Sequence, residues 1–331
     1  MRGGMKRLGG ASLAVLACGA GLAATPPQQS PDELLRRAAA RVLDARTAGP
    51  VTLTYSLRLA DGTTGTYSWS QRDRDNNREE IRISDRSSSR GALAGCGWQT
   101  PGHDAATAWW LVEKALALGA QLAPDEIHPM AAQAREIDGE AFAEVWAERP
   151  PELGRRVVFL TEPDLDLGLS EIGELRRSYA DWKQLRGVGA VPGVARVYVA
   201  GALALEMRLE RGTNRPVAKA ELAPPPGSVE RAHCSDEVAP PKLVRRTPPA
   251  YPEEARRARV QGVFVVAATI GADGAVTDAH LIYPVAARSD SRALMGDAAV
   301  AAVKTWRYEP ARCQGAPIAT DLNVTVTFTL K

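Results

Sequence analysis

The strongest metal-binding and nucleophilic side chains of this 331-residue chain are four cysteines (Cys18, Cys96, Cys234 and Cys313) and four histidines (His103, His128, His233 and His280). A tetrahedral zinc site built on ligand pairs needs two such pairs. Only His233–Cys234 is adjacent, and no second pair lies near it, so no metal is expected. The carboxylate pairs Asp73/Asp75 and Asp164/Asp166 fall in charged stretches that read as solvated loops. The chain carries no P-loop, nucleophile elbow, HExxH or dinucleotide fingerprint, and Gly187, Gly189 and Gly193 have the wrong spacing for a phosphate loop. No catalytic residue and no cofactor are expected, and the chain reads as non-enzymatic. What remains is the chemistry of strand pairing. From Leu322 to Leu330, apolar residues alternate with Asn323, Thr325, Thr327 and Thr329. Such alternation specifies a strand with one apolar and one polar face.

The elements around that strand form a small unit. Val260–Ile270 is a strongly apolar β-run, Gly271-Ala272-Asp273-Gly274 a turn, and Val276–Ile282 a second strand, together a hairpin. A helix follows over Leu294–Trp306, with Ala299, Val300, Val303 and Trp306 facing inward at helical spacing, and Pro310 ends it. With the terminal strand the layout is ββαβ, a sheet with one covered face and at least one edge of unpaired amides and carbonyls able to accept another strand.

Five phrases in order carry a family likeness: Pro249-Ala250-Tyr251-Pro252 with Glu253-Glu254-Ala255-Arg256; Gln261-Gly262-Val263; Asp273-Gly274; Ala302-Val303-Lys304-Thr305-Trp306-Arg307-Tyr308-Glu309-Pro310; and Gly315-Ala316-Pro317-Ile318. Over about residues 240 to 331 the chain resembles the C-terminal domain of TonB-family proteins. The resemblance implies that the strand at Asp321–Leu330 accepts a short peptide of an outer-membrane receptor or another periplasmic protein by strand addition, in energy-coupled transport. It marks Tyr251, Pro252, Asn323, Thr325 and Thr327 as partner-binding residues, and the same edge strand would serve a homodimer. Trp306 and Tyr308 are expected to pack the helix onto the sheet. Cys234 lies just before this domain and Cys313 between its helix and last strand, so a Cys234–Cys313 disulfide is expected, with Cys96 left free. Closing a loop of this size contributes about 4 kcal/mol in the chain-entropy view.

Upstream, Ser30 and Pro31 with Glu33 signal a capped helix whose Leu34, Leu35, Ala38, Val42 and Leu43 recur at helical spacing. Strands are expected at Val51–Leu59, Thr64–Gln71, Glu80–Ser84, Ala143–Glu148, Arg156–Thr161, Val194–Val199, Ala202–Glu210 and Val217–Leu222. Asp61-Gly62 supplies a hairpin turn between the first two. A helix is expected over Asp104–Leu122, with Trp109, Val112 and Leu116 on its inner face, and Leu175–Gln184 reads as short helical or loop structure. The fold class is α+β, a curved antiparallel sheet with helices plus the small ββαβ domain. In element order and in phrases such as Leu59-Ala60-Asp61-Gly62 and Arg78-Glu79-Glu80-Ile81, this half resembles the half-barrel of LolA-type lipoprotein carriers. That likeness implies a concave face that binds lipid or another hydrophobic ligand, as a carrier or sensor. A sheet packed shut by its own helices fits the same pattern.

Met1–Ala24 has early basic residues, then an uncharged Leu/Val/Ala/Gly stretch ending in small residues, the layout of a secretory signal. Three outcomes are open: cleavage near Leu22-Ala23-Ala24, lipidation at Cys18 within the lipobox-like Val15-Leu16-Ala17-Cys18, or a retained membrane anchor. Each places the protein in the periplasm. Residues 25–223 form the larger domain, 224–250 a Pro-rich linker and 251–331 the smaller domain. At roughly 3.1 Å per residue, the linker spans at most about 80 Å, short for a chain that must cross the periplasm. With 41 basic against 39 acidic residues the net charge is +2, which leaves no electrostatic footprint for nucleic acid. A composition of 45% hydrophobic and 24% charged residues excludes general disorder, collagen-like fibre and a polytopic membrane protein.

Overall fold

The structure is a computed structural model describing residues 30–43, 49–94, 96–100, 105–118, 122, 129–137, 139–147, 156–161, 164–172, 175–199, 201–231, 239–283, 290–313 and 315–330. The signal segment with Cys18, and also Cys234, His103, His128 and His233, lie outside these residues.

The chain opens with helix α1 (Pro31–Arg41). Ser30 Oγ accepts the Glu33 N–H at 3.2 Å, and Pro31 sits in the first turn, where its missing amide is not needed. The Glu33 carboxylate pairs with Arg36 at 2.5 Å rather than with the cap. Next come β1 (Val51–Leu59), β2 (Thr64–Asp73), β3 (Asn76–Ile83), β4 (Arg86–Leu93) and β5 (Cys96–Gln99) in consecutive antiparallel order. Val51, Leu53, Tyr55 and Leu57 are all buried while their neighbours are not, so β1 turns one apolar face inward. Tyr67 and Trp69 of β2 stand opposite Tyr55 and Leu53 on that face.

Helix α2 (Ala106–Leu116) buries Ala108, Trp110, Leu111, Val112 and Ala115. Trp109, expected with the core, is only partly buried. After it, β6 (Pro129–Ile137), β7 (Glu140–Ala147), β8 (Arg156–Thr161), β9 (Leu167–Ile172) and β10 (Leu175–Ala180) continue the sheet. The helical or loop reading of Leu175–Gln184 is corrected here. Arg177 is buried and donates to Ser170 Oγ at 3.4 Å, so a charged residue holds an inward β position beside Tyr179 and hides the alternation. The small hairpin β11 (Lys183–Leu185) and β12 (Gly189–Val191) is the Gly-rich connection. Then β13 (Val194–Val199) and β14 (Ala202–Thr213) complete a 13-stranded curved antiparallel sheet, in the order β15-β5-β4-β3-β2-β1-β14-β13-β10-β9-β8-β7-β6. Its first strand, β15 (Val229–Arg231), pairs with β5.

The core lies on the inner face of this sheet, where Leu35, Leu111, Ala115, Leu122, Leu205 and Met207 are fully buried. Two phenols close it: Tyr55 donates to the Pro192 carbonyl and Tyr179 to the Ala115 carbonyl, each at 3.0 Å. Burial pushes the Tyr55 and Tyr67 phenols well above their usual range. On the outer face Glu206 gathers Arg58, Arg196 and Arg208 at 2.9, 2.6 and 3.0 Å. Val217–Leu222, expected as a strand, contains a 3₁₀ turn at Lys219–Leu222 instead. Leu222 is fully buried and Val217 nearly so, and burying two residues from one short turn satisfies the same apolar spacing.

The stretch expected as linker is only partly extended spacer. Besides β15 it holds β16 (Lys242–Arg245), and both strands occupy proline-free gaps between the proline clusters. The smaller unit follows with α3 (Glu253–Arg257), β17 (Gly262–Ile270), β18 (Val276–Tyr283) and α4 (Asp290–Lys304). It ends with β19 (Arg307–Glu309), β20 (Ala311–Cys313), β21 (Ala316–Ile318) and β22 (Thr320–Phe328). Three strands form its sheet in the order β18-β17-β22, while β16 pairs with β19 and β20 with β21. Met295, Ala299, Val303 and Trp306 pack on Phe264, Val266, Ile270 and Val326. No helix among the described residues is long and apolar enough to cross a membrane.

Candidate partner-binding edge and the cleft beside it

Among the described residues β22 is the outermost strand of the three-stranded sheet, paired with β17 on one side only. Val324, Val326 and Phe328 are buried under α4, and Asn323, Thr325 and Thr327 are exposed, in register with Ala267, Val265 and Val263. This strand pairs with one neighbour and carries short, mostly uncharged side chains on its exposed face, so it is chemically suited to accept a further strand.

The remaining expected contacts sit elsewhere. Tyr251 packs edge-on against Phe328, ring centroids 5.4 Å apart, and its hydroxyl donates to the Val260 carbonyl. Pro252 is the N-cap of α3, in extended conformation. Tyr251 fastens the start of the domain onto its last strand. Trp306 is buried, its indole N–H donating to the Thr247 carbonyl at 2.8 Å with the Arg246 guanidinium 5.2 Å from the ring centre. Tyr308 is buried against the β17–β18 turn, where its amide donates to the Gly274 carbonyl at 2.9 Å. Burial raises its phenol above the usual range, against an opposing influence of Arg246. Cys313 is disulfide-bonded and Cys96 is free and exposed.

Asp73 fixes a turn and Asp166 holds a distant arginine. Asp73 Oδ1 accepts from the Asp75 amide at 3.0 Å and from the Asn76 side chain at 2.7 Å, fixing the β2–β3 turn. Asp166 accepts Arg41 at 3.2 Å. Among the described residues no group of three or more His, Cys, Asp or Glu side chains could hold a metal ion.

The face of the small sheet turned away from α4 is partly covered by the larger sheet. Ile282 is 1% and Val265 8% exposed, and both bury in the core cluster of the larger unit, with Ala267 packed against it. Beside this seam lies a cleft of about 500 Å³, within the range of ligand-sized cavities. Ser88, Arg90, Trp109 and Glu113 line one wall, and His280, Thr269, Asp321 and Asn323 the other. Arg90 donates to Glu113 at 2.6 Å and to Glu79 at 2.9 Å, and its guanidinium lies 4.3 Å from the centre of the Trp109 ring. Burial disfavours its charge, and the two carboxylates outweigh that, holding its pKa above the usual arginine range. Trp109 donates to Ser88 Oγ at 2.9 Å, and Thr269 to Asp321 Oδ1 at 2.9 Å. Sequence reasoning did not reach this cleft. Its one available signal was that β17 is apolar almost throughout, the pattern of a strand buried on both faces.

Residues 247–330 match the family model described as Gram-negative bacterial TonB protein C-terminal. No curated protein matches the chain. Among solved structures it is similar to a LolA superfamily protein from Nitrosomonas europaea, at 10% identity and a TM-score of 0.39, covering 60% of this chain and 99% of that one. A putative outer membrane lipoprotein-sorting protein domain from Vibrio parahaemolyticus is similar at 9% identity and a TM-score of 0.37, covering 55% and 90%. The MucA/MucB complex of Pseudomonas aeruginosa is similar at 14% identity and a TM-score of 0.31, covering 66% and 70%.

Proposed function

We propose that this is an exported, non-enzymatic periplasmic protein whose C-terminal domain binds a protein partner by β-strand addition at β22, an outer-membrane transporter or receptor peptide in energy-coupled transport. The observation that carries the reading is the position of β22 at the sheet edge with Asn323, Thr325 and Thr327 exposed along it. The TonB match over residues 247–330 supports the same reading. Residues 1–24 act as the signal, 25–223 as the larger domain, 224–250 as the connection and 251–331 as the binding domain. Cys234 pairs with Cys313, and a non-reducing peptide map joining Cys313 to any other cysteine would overturn that pairing. The main experiment is capture of outer-membrane proteins from an envelope extract by the full chain. Thr325→Pro, which places a residue without an amide in the edge strand, should abolish capture. Hydrogen exchange reads the same event without a mutation: on capture, the amides of 320–328 should become protected, and unchanged exchange there with partner bound sinks the reading.

A second reading rests on the apolar inner face of the large sheet, which would suit a carrier or sensor of lipid. In the arrangement described, α2 occupies that face, so a bound acyl chain would have to take the place of Leu111 and Ala115. Native mass spectrometry of the purified protein is the test: co-purifying lipid supports this reading and a ligand-free mass counts against it.

A further inference from the structure

We propose that the larger domain supplies a second wall of the partner-binding site, and that the cleft at the seam selects an incoming strand carrying a basic side chain opposite Asn323. The proposal rests on strand addition at β22 and adds to it which segment is accepted.

The geometry follows from pleating. A residue directly opposite another in neighbouring strands points to the same face of the sheet. Asn323 is directed into the cleft, so the partner residue opposite Asn323 must send its side chain there too. Diagonal neighbours in paired strands lie about 7–8 Å apart, within reach of a long side chain, which brings Asp321, two residues back on β22, into the same contact. The cleft faces that side chain with surfaces from both domains. Asp321 is held in place by Thr269, and Glu113 projects from α2 on the opposite wall.

Charge decides what fits. Among the described residues Arg90 is the one arginine or lysine lining the cleft, and it is already engaged by both Glu79 and Glu113. Arg90 is outnumbered by Glu79 and Glu113, which hold it, and Asp321 places a further carboxylate on the facing wall, with the Trp109 ring beside them. A lysine or arginine entering from the added strand is favoured there and a glutamate is opposed. Docking of the small sheet through Val265 and Ile282 holds the two walls together, so the selection belongs to the full chain rather than to the C-terminal domain alone.

The test uses the full-length protein and fluorescent ten-residue peptides of alternating Val and Thr, each with one Lys, Leu or Glu placed at successive positions, read by fluorescence anisotropy. At one position Lys should bind about tenfold more tightly than Glu, the difference expected for a partly desolvated charge contact, and the preference should shrink with added salt. Asn323→Lys alters an exposed residue that the fold does not need, and should reverse the preference. Glu113→Gln together with Asp321→Asn should reduce it to about twofold. Peptides that bind in a Thr325→Pro-sensitive manner with no charge preference, or a preference that Asn323→Lys leaves unchanged, overturn this proposal and leave strand addition standing. Absence of any Thr325→Pro-sensitive binding overturns strand addition and this proposal with it.

Discussion

Two nine-residue strands end sheets in this molecule, β6 at one side of the large sheet and β22 at one side of the small one, and they are defended differently. β6 begins at Pro129, shifts register against β7 at its start, and carries Arg135 and Glu136 near its end. Proline, irregular register and charge are the ordinary means of discouraging a further strand. β22 has Asp321 near its start and then only Leu, Asn, Val, Thr and Phe. The lesson is that two edges of equal length can differ in their deterrents: the large sheet guards β6, and β22 lacks the same guards.

The largest effect separates the two edges directly. Thr325→Lys with Thr327→Lys in β22 should eliminate partner capture in a pull-down, whereas Ala131→Lys with Ala134→Lys in β6 should leave it unchanged. Equal loss from both pairs would break the comparison. Next in size is the seam. Ile282→Ala removes a side chain buried between the domains and should cost roughly 2–4 kcal/mol, measured as a lower urea midpoint, with faster proteolysis between the domains. A smaller contrast lies in the turns. Gly274 has φ of +78°, and a Cβ there would come within 1.9 Å of the Tyr308 carbonyl oxygen, while Gly62 at +86° has nothing within 4 Å. Gly62→Ala therefore carries only the left-handed penalty, about 1–2 kcal/mol, and Gly274→Ala must lose more in the same unfolding experiment.

The smallest expected effect concerns pH. Burial alone would raise the Glu206 pKa, but its hydrogen bonds and ion pairs with Arg196 and Arg208 win and lower it. A carboxyl with a folded pKa below its unfolded one stabilises the fold at neutral pH and loses that contribution as pH falls below the ordinary glutamate range. Glu206→Gln should therefore flatten the stability profile between pH 7 and pH 3. A profile as steep as wild type would assign the acid sensitivity to other carboxylates.

The fold was legible wherever one face of an element was buried and the other wet. β1, β13 and β22 alternate, and Ser30 with Pro31 announces α1. Legibility failed where a charged residue sits inward, as Arg177 does in β10, and in β4 and β6, whose Ser-, Ala- and Arg-rich sequences lack an apolar face. The edge proposed for binding could be read because it depends on one strand alone. The cleft could not, because Arg90, Glu113 and Asp321 are brought together from three elements across two sheets. Only the unbroken apolar run of β17 hinted that its outer face was covered.

The contact between Tyr251 and Phe328 has a mechanical meaning. It joins the segment where the chain enters the small domain to the end of the edge strand β22. Tension arriving through an added strand would meet β22 and pass at Phe328 to the segment leading back toward the larger domain, without first crossing α4. If β22 accepts a strand as proposed, the two attachment points of the domain touch, one at Tyr251 and one at Phe328.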